Sequence, residues 1–287
     1  MSGETRVAVV TGANKGIGFW IVKLLIMRGF KGDVILTARD EGRGKRAVQE
    51  LSKECSTAPI FHQLDIDDDA SVTKLRHFLK AAYGGLDVLV NNAGIAFKND
   101  STAPFGLQAE ETVKTNYFGT LRVCEALFPL LRPGARVVHL SSCCGHLSKI
   151  PSAELRARFS EPNLTVDQLS TLAKEFVDAA KKGTNSQLGW GTSAYNVSKV
   201  LVSALGFIHH RQFETDPRDD LIVNSVHPGY VDTDMSSHKG SLKPEEGADA
   251  PTYLAMLPPK ESTNPKGKFV WYDRKIVEWD SNPVPVM

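Results

Sequence analysis

Short apolar runs recur along the chain, each followed by a stretch with helical spacing. Val7-Ala8-Val9-Val10 reads as a buried strand, and Gly16 to Arg28 as a helix with Ile17, Ile21, Leu24 and Leu25 on one face. Asp33 to Ala38 holds the second strand and Glu41 to Glu54 the next helix. Strands follow at Ile60 to Leu64, Leu86 to Val90, Val137 to Leu140 and Ile222 to Val226. Helices at Ala70 to Tyr83, Glu110 to Leu131 and Ser193 to Glu214 separate them, and Phe269 to Tyr272 reads as a seventh strand. Continuous apolar strands alternating with helices predict a parallel sheet covered on both faces. The expectation is an α/β fold, one doubly wound domain over residues 1–287 with a seven-stranded parallel sheet.

One segment breaks this rhythm. Between His146 and Gly191 a connection that should be short becomes a long insertion. Leu169, Leu172, Ala173, Phe176, Val177 and Ala180 keep a helical apolar stripe within it. Thr165 with Gln168 predicts a capping box and Gly183 a C-cap. The insertion is therefore expected to be folded and packed on the domain.

Composition changes this picture little. The 287 residues are 41% hydrophobic and 23% charged, with a net charge of +1. Scattered, balanced charge gives no footprint for nucleic acid or an anionic membrane. The polar start, Met1 to Arg6, and the brief apolar run after it read as neither signal peptide nor membrane span. Adjacent Cys143 and Cys144, with Cys55 and Cys124, fit no zinc spacing and predict a reduced, cytoplasmic protein. Sequons beginning at Asn99, Asn163 and Asn196 are then chance matches.

Chemistry concentrates at the ends of strands. Gly12, Asn14, Lys15, Gly16, Ile17 and Gly18 lie in a glycine-rich turn between the first strand and the first helix. Such a turn lets the backbone and a helix N-terminus approach a pyrophosphate; its alternative is a turn without ligand. The second strand ends in Ala38-Arg39-Asp40, without a carboxylate at the position that usually meets ribose hydroxyls. Arg39 can instead fork onto a 2′-phosphate, with Lys15 adding charge, which points to NADPH/NADP+. The alternative leaves both cations solvated and Asp40 dominant. Asp65, followed by Ile66, is placed to accept from an adenine amine, or else to cap the next helix. Tyr195 and Lys199 stand four apart, on one face of a helix. A lysine cation beside a phenol favours the phenolate, so a lowered Tyr195 pKa is expected.

These motifs, with Asn91-Asn92-Ala93-Gly94, Asn116, Ser142 and Pro228-Gly229, resemble the short-chain dehydrogenase/reductase family over essentially the whole chain. Gly84 to Phe97 and Phe61 to Asp68 look most like its monomeric, cytosolic, NADPH-dependent carbonyl reductases. The resemblance implies catalytic roles for Asn116, Ser142, Tyr195 and Lys199, and reduction of quinones, aromatic ketones and aldehydes, or prostaglandins and steroids. It implies cofactor contacts from Asn92, Ala93, Gly94, Pro228, Gly229, Val231 and Thr233. Strand alternation lets only one of Ser141 and Ser142 face the cleft, and the family pattern favours Ser142.

Ile95, Ala96, Phe97, Trp190, Tyr230 and Met235 are candidate pocket walls, with core packing as the alternative. Gln108 is a candidate contact for glutathione conjugates. Residues 233–241 read as a mobile loop able to close over ligand. Residues 146–191 are expected to cover the helix face used for assembly in oligomeric relatives, leaving a monomer. His227, Tyr230, Cys143 and Cys144 depart from the family pattern near the expected cleft. An NAD(P)-dependent hydroxysteroid or alcohol dehydrogenase and a non-catalytic NADPH sensor are the rival readings.

Overall fold

The computed structural model describes residues 5–98 and 100–281; the sequon at Asn99 and the first four residues lie outside them. The first half runs β1 (Val7–Val10), α1 (Gly16–Met27), β2 (Asp33–Ala38), α2 (Glu41–Glu54), β3 (Ile60–Gln63), α3 (Asp69–Tyr83) and β4 (Leu86–Asn91). Next, α4 (Phe105–Val113) continues through a π-helical stretch, Lys114–Gly119, into α5 (Thr120–Leu127). Then come β5 (Leu131–Leu140), α6 (Ala153–Phe159), α7 (Val166–Lys182) and α8 (Ala194–Glu214). The chain closes with β6 (Ile222–Val226), α9 (Pro244–Ala255), β7 (Phe269–Val270) and β8 (Ile276–Val277).

The sheet order is β3-β2-β1-β4-β5-β6-β7-β8. Each neighbouring pair from β3 to β7 is parallel, as expected. The eighth strand is a departure: β8 pairs antiparallel to β7 through a tight hairpin. In that turn the Trp271 N–H donates to the Lys275 carbonyl at 2.8 Å, and Arg274 adopts a φ of 66°. The predicted helix Glu110 to Leu131 also shifts. It begins earlier, after Pro104, and Leu131 already belongs to β5.

Alternation along the strands builds two cores. Ala8 and Val10 face Ile21, Leu24 and Leu25 of α1 and Leu254 of α9. Val7 and Val9 face Val72, Leu75 and Leu79 of α3 and Val123 of α5. The insertion makes a third cluster. Its capping box is present, with Gln168 N donating to Thr165 Oγ1 at 3.2 Å and Thr165 N to Gln168 Oε1 at 2.9 Å. Leu169, Leu172 and fully buried Phe176 of α7 pack with Ala109 and Val113 of α4 and Val197 and Leu201 of α8.

Trp190 corrects one expectation. It is 3% exposed and packs against Phe159 and Phe176, so it belongs to the insertion core and not to a pocket wall. A large aromatic side chain buries most area where apolar neighbours surround it.

Candidate active site

The carboxyl ends of β1 and β4 lie side by side at the point where the strand order reverses, the usual crevice of such sheets. The loop after β1 is bolted to the loop after β4. Thr11 Oγ1 accepts from the N–H groups of Asn92 (3.0 Å) and Ala93 (2.9 Å). Asn92 Nδ2 donates to the carbonyls of Thr11 (2.8 Å) and Gly12 (3.0 Å). Gly12 has a φ of 62°, and a Cβ there would fall 2.9 Å from Ala93 Cα. A Cβ on Gly18 would fall 2.8 Å from the Gly12 carbonyl oxygen. Lys15 precedes α1 without a capping side chain, which leaves the first N–H groups of the helix available to an anion. Ile17 packs against the core, and Gly16 lies against Thr233. This close-packed, uncapped turn fits a dinucleotide pyrophosphate.

Arg39 is exposed at the end of β2, and its carbonyl accepts from Gln63 Nε2 at 3.0 Å. Asp40 is occupied as the N-cap of α2, accepting from the Arg43 N–H at 2.7 Å. Asp65 closes its own turn, accepting from the Asp67 N–H at 3.0 Å, while Asp68 caps α3. Ile66 is buried beside Gly119. Val231 is buried and bridges to Leu242, and Gly229, after Pro228, has a φ of 90°.

Asn116 sits in the π-helical stretch, where the widened turn aims its amide at the chain after β4. Its Oδ1 accepts from the Ile95 N–H at 2.7 Å, and its Nδ2 donates to the Ile95 carbonyl at 2.9 Å and to Ser198 Oγ at 2.9 Å. Ser198 donates in turn to the Tyr195 carbonyl at 2.8 Å. Gly94 packs closely on this amide, since a Cβ there would fall 3.0 Å from Asn116 Oδ1. Ser198 was not anticipated; nothing in its sequence setting separates it from an ordinary helix serine.

Tyr195 and Lys199 share one face of α8, with Lys199 Nζ 5.6 Å from the Tyr195 ring centre. Lys199 is 6% exposed and donates to the Leu140 carbonyl at 2.7 Å. Burial lowers its pKa to about 8. The expected lowering of the Tyr195 pKa is not found. Desolvation pushes the phenol above its ordinary value, helped by Cys144 and opposed by a hydrogen bond with Ser142. The phenol therefore holds its proton at neutral pH.

Ser141 and Ser142 follow β5 and are held differently. Ser141 is buried against α8, bonded to Ser203 Oγ at 2.6 Å and to the Lys199 carbonyl at 3.1 Å. Ser142 Oγ accepts from the Cys144 N–H at 3.2 Å, which leaves its own proton to donate. Cys143 Sγ lies 3.9 Å from Ser142 Oγ. Hydrogen bonds from Cys144 and His227 hold the Cys143 pKa down against its burial, and the Cys144 pKa is driven up. His227 is 1% exposed, accepts the Gly229 N–H at Nδ1 (3.3 Å), and stands edge-on to Trp271.

Residues 233–238 are stitched down. Lys15 Nζ meets Asp234 Oδ2 at 2.5 Å, Lys98 Nζ donates to Ser237 Oγ at 2.9 Å and to the Asp234 carbonyl, and Ser236 Oγ donates to the Val231 carbonyl at 2.7 Å. The loop carries Met235 to within 4.0 Å of the Tyr195 hydroxyl. Asp234 was not foreseen as the partner of Lys15, 219 positions away in sequence. Tyr230 and Met235 are 42% exposed, and Ile95, Ala96 and Phe97 are partly exposed, so all five remain candidate walls. Gln108 is half-buried and donates to the Ala103 carbonyl at 2.8 Å.

Fold and site together define a dinucleotide-binding α/β protein with a tyrosine–lysine–serine centre. Residues 6–153 match the short chain dehydrogenase family. Carbonyl reductase (NADPH) 1 of Bos taurus is 50% identical over 281 residues, covering 97% of this chain and all of that protein. The Homo sapiens protein of the same name is 48% identical over the same length. The structure of salutaridine reductase from Papaver somniferum is similar at a TM-score of 0.83, with 32% identity over 93% of this chain and 99% of that one. The chain belongs to the short chain dehydrogenase family.

Proposed function

We infer that this protein is an NADPH-dependent carbonyl reductase, converting ketones, aldehydes and quinones to alcohols. The observation that carries this reading is the convergence of Tyr195, Ser142 and buried Lys199, with Gly94 of the chain after β4 alongside Lys199. The match to NADPH carbonyl reductases along nearly the whole chain supports it. When bound, NADPH supplies the hydride that reaches the carbonyl carbon. Gly12, Gly16, Gly18 and the start of α1 would hold its pyrophosphate. Arg39 and Lys15 would meet its 2′-phosphate, and Asn92, Ala93, Gly94, Pro228, Gly229, Val231 and Thr233 would line its remaining length.

The protein side follows from the proton positions. Ser142, already accepting from Cys144, donates to the carbonyl oxygen and stabilises its developing charge. Tyr195, which keeps its phenolic proton at neutral pH, gives that oxygen a proton. Lys199 places positive charge beside the phenol as the proton leaves. Asn116 fixes the Ile95 backbone and, through Ser198, the first turn of α8.

Purified protein with NADPH and menadione or isatin should consume NADPH absorbance. Tyr195→Phe should slow turnover at least about 10²-fold, the scale of a lost general acid. Undiminished turnover with intact NADPH binding would refute the assignment.

We further propose a monomer acting in the cytoplasm, with glutathione conjugates among its ligands. Among the described residues no helix is long and apolar enough to cross a membrane. Packing of α7 over α4 and α8 supports the monomer, because it covers the helix face that assembly would use. A stable tetramer in light scattering would end that proposal.

A further inference from the structure

Three departures from the family pattern, Cys143, Cys144 and His227, meet at one point of the cleft. They are not scattered surface changes. Cys143 Sγ has Ser142 Oγ at 3.9 Å, with hydrogen bonds to the Cys144 thiol and to His227. The imidazole is fixed: it is buried, its Nδ1 accepts the Gly229 N–H at 3.3 Å, and Trp271 stands edge-on at 5.0 Å. Cys143 is nevertheless partly exposed. By contrast Cys124 is sealed in the core, and Cys55 lies beside Lys23 and Glu54 at the far end of α2, away from any carbonyl-binding group.

A half-buried, accessible sulfur beside Ser142, with Cys144 and His227 favouring its thiolate, makes a nucleophile. Its position gives that nucleophile a target. A carbonyl oxygen held by Ser142 and Tyr195 draws electrons from any conjugated double bond, and Cys143 adjoins that oxygen site.

We propose that Cys143 is a covalent capture site for α,β-unsaturated carbonyl compounds, enones and quinones, that bind at this centre. The site rests on the carbonyl-binding reading given above. In the addition a Cys143 sulfur lone pair forms the C–S bond to the β carbon. The C=C π pair moves toward the carbonyl, and charge develops on the oxygen beside Ser142 and Tyr195. The resulting enolate takes a proton from Tyr195 or solvent and becomes a saturated carbonyl thioether. The thiol proton leaves to solvent. Nothing is oxidised or reduced, and no co-reactant is consumed. The protein thus has two outcomes for an enone: reduction at the carbonyl carbon, or attachment at the β carbon.

The test is labelling of the full chain, without nucleotide, by cyclohex-2-enone, with cyclohexanone as the unreactive control and intact mass as the readout. The expected result is one added enone, mapped to Cys143, and none in Cys143→Ser. His227→Gln and Cys144→Ala should each raise the pH at which the labelling rate is half-maximal by about one unit or more, since each removes a group that holds the Cys143 thiol pKa down. Ser142→Ala should slow labelling by the enone more than labelling by iodoacetamide: both lose the Ser142 contribution to the Cys143 thiolate, but only the enone also loses polarisation of a conjugated carbonyl. No adduct, an adduct on another cysteine, or a half-maximal pH unchanged in both His227→Gln and Cys144→Ala would overturn the proposal. NADPH consumption with cyclohexanone is scored separately. Turnover without an adduct counts against Cys143 alone, and an adduct without turnover counts against the reductase reading alone.

Discussion

Replacing Lys199 by Met separates what the residue does for folding from what it does for chemistry. Burial lowers the Lys199 pKa from 10.5 to about 8. At about 1.4 kcal/mol for each pH unit of that difference, the folded state disfavours the ammonium by roughly 3 kcal/mol. Methionine fills similar space without charge and removes that cost. It also leaves the Leu140 carbonyl, bonded at 2.7 Å, without its donor, which costs about 1–3 kcal/mol. The two effects nearly cancel at pH 7, so Lys199→Met should fold with stability within about 2 kcal/mol of the wild type.

The sign of the pH dependence follows from the order of the two pKa values. Between pH 8 and 10.5 the unfolded wild type binds more protons at Lys199 than the folded form does, so wild-type stability rises with pH. The variant lacks this contribution, and other titrating groups cancel in the difference. Urea unfolding of both proteins at pH 7 and pH 10 should show the wild type gaining roughly 2–3 kcal/mol on the variant over that interval. A constant gap would refute the buried-cation argument. Reductase turnover should meanwhile fall at least about 10²-fold in the variant, because the charge beside Tyr195 is gone.

Arg39→Ala should raise the KM for NADPH by about 10- to 100-fold, the worth of a hydrogen bond to a charged group, and leave the KM for NADH nearly unchanged. Steady-state kinetics with both nucleotides checks it, and equal effects on the two would exclude a phosphate contact. Phe176→Ala should cost about 3–5 kcal/mol in chemical unfolding, since the ring is fully buried where the insertion meets α4 and α8. A loss below about 1 kcal/mol would mean that the insertion unfolds separately from the domain.

The parallel body of the sheet was legible because its strands are continuous apolar runs such as Val7–Val10 and Ile222–Val226, which suit burial on both faces. The two residues of β8 are too few to show alternation, and tertiary pairing alone defines them. Helix α9 was hidden by Gly247 and Pro251, poor helix formers that its packing against α1 overrides. The pairing of Tyr195 with Lys199 was readable from spacing, but its electrostatics were not. Spacing shows where a charge can lie and says nothing of how much water is removed from the phenol. Trp190 illustrates the same limit, since composition does not distinguish a cleft wall from a core.

The widened turn at Lys114–Gly119 has a further consequence. It contains more residues per revolution than the helices it joins, so the faces of α4 and α5 are out of phase by the surplus. Deleting a residue there would let one ordinary helix run through, with every backbone bond still made. The amide at position 116 would then swing off its target on the neighbouring chain. Such a protein could melt at the normal temperature and be inert, because what places the asparagine is a miscount in the coil and not a contact the rest of the fold depends on.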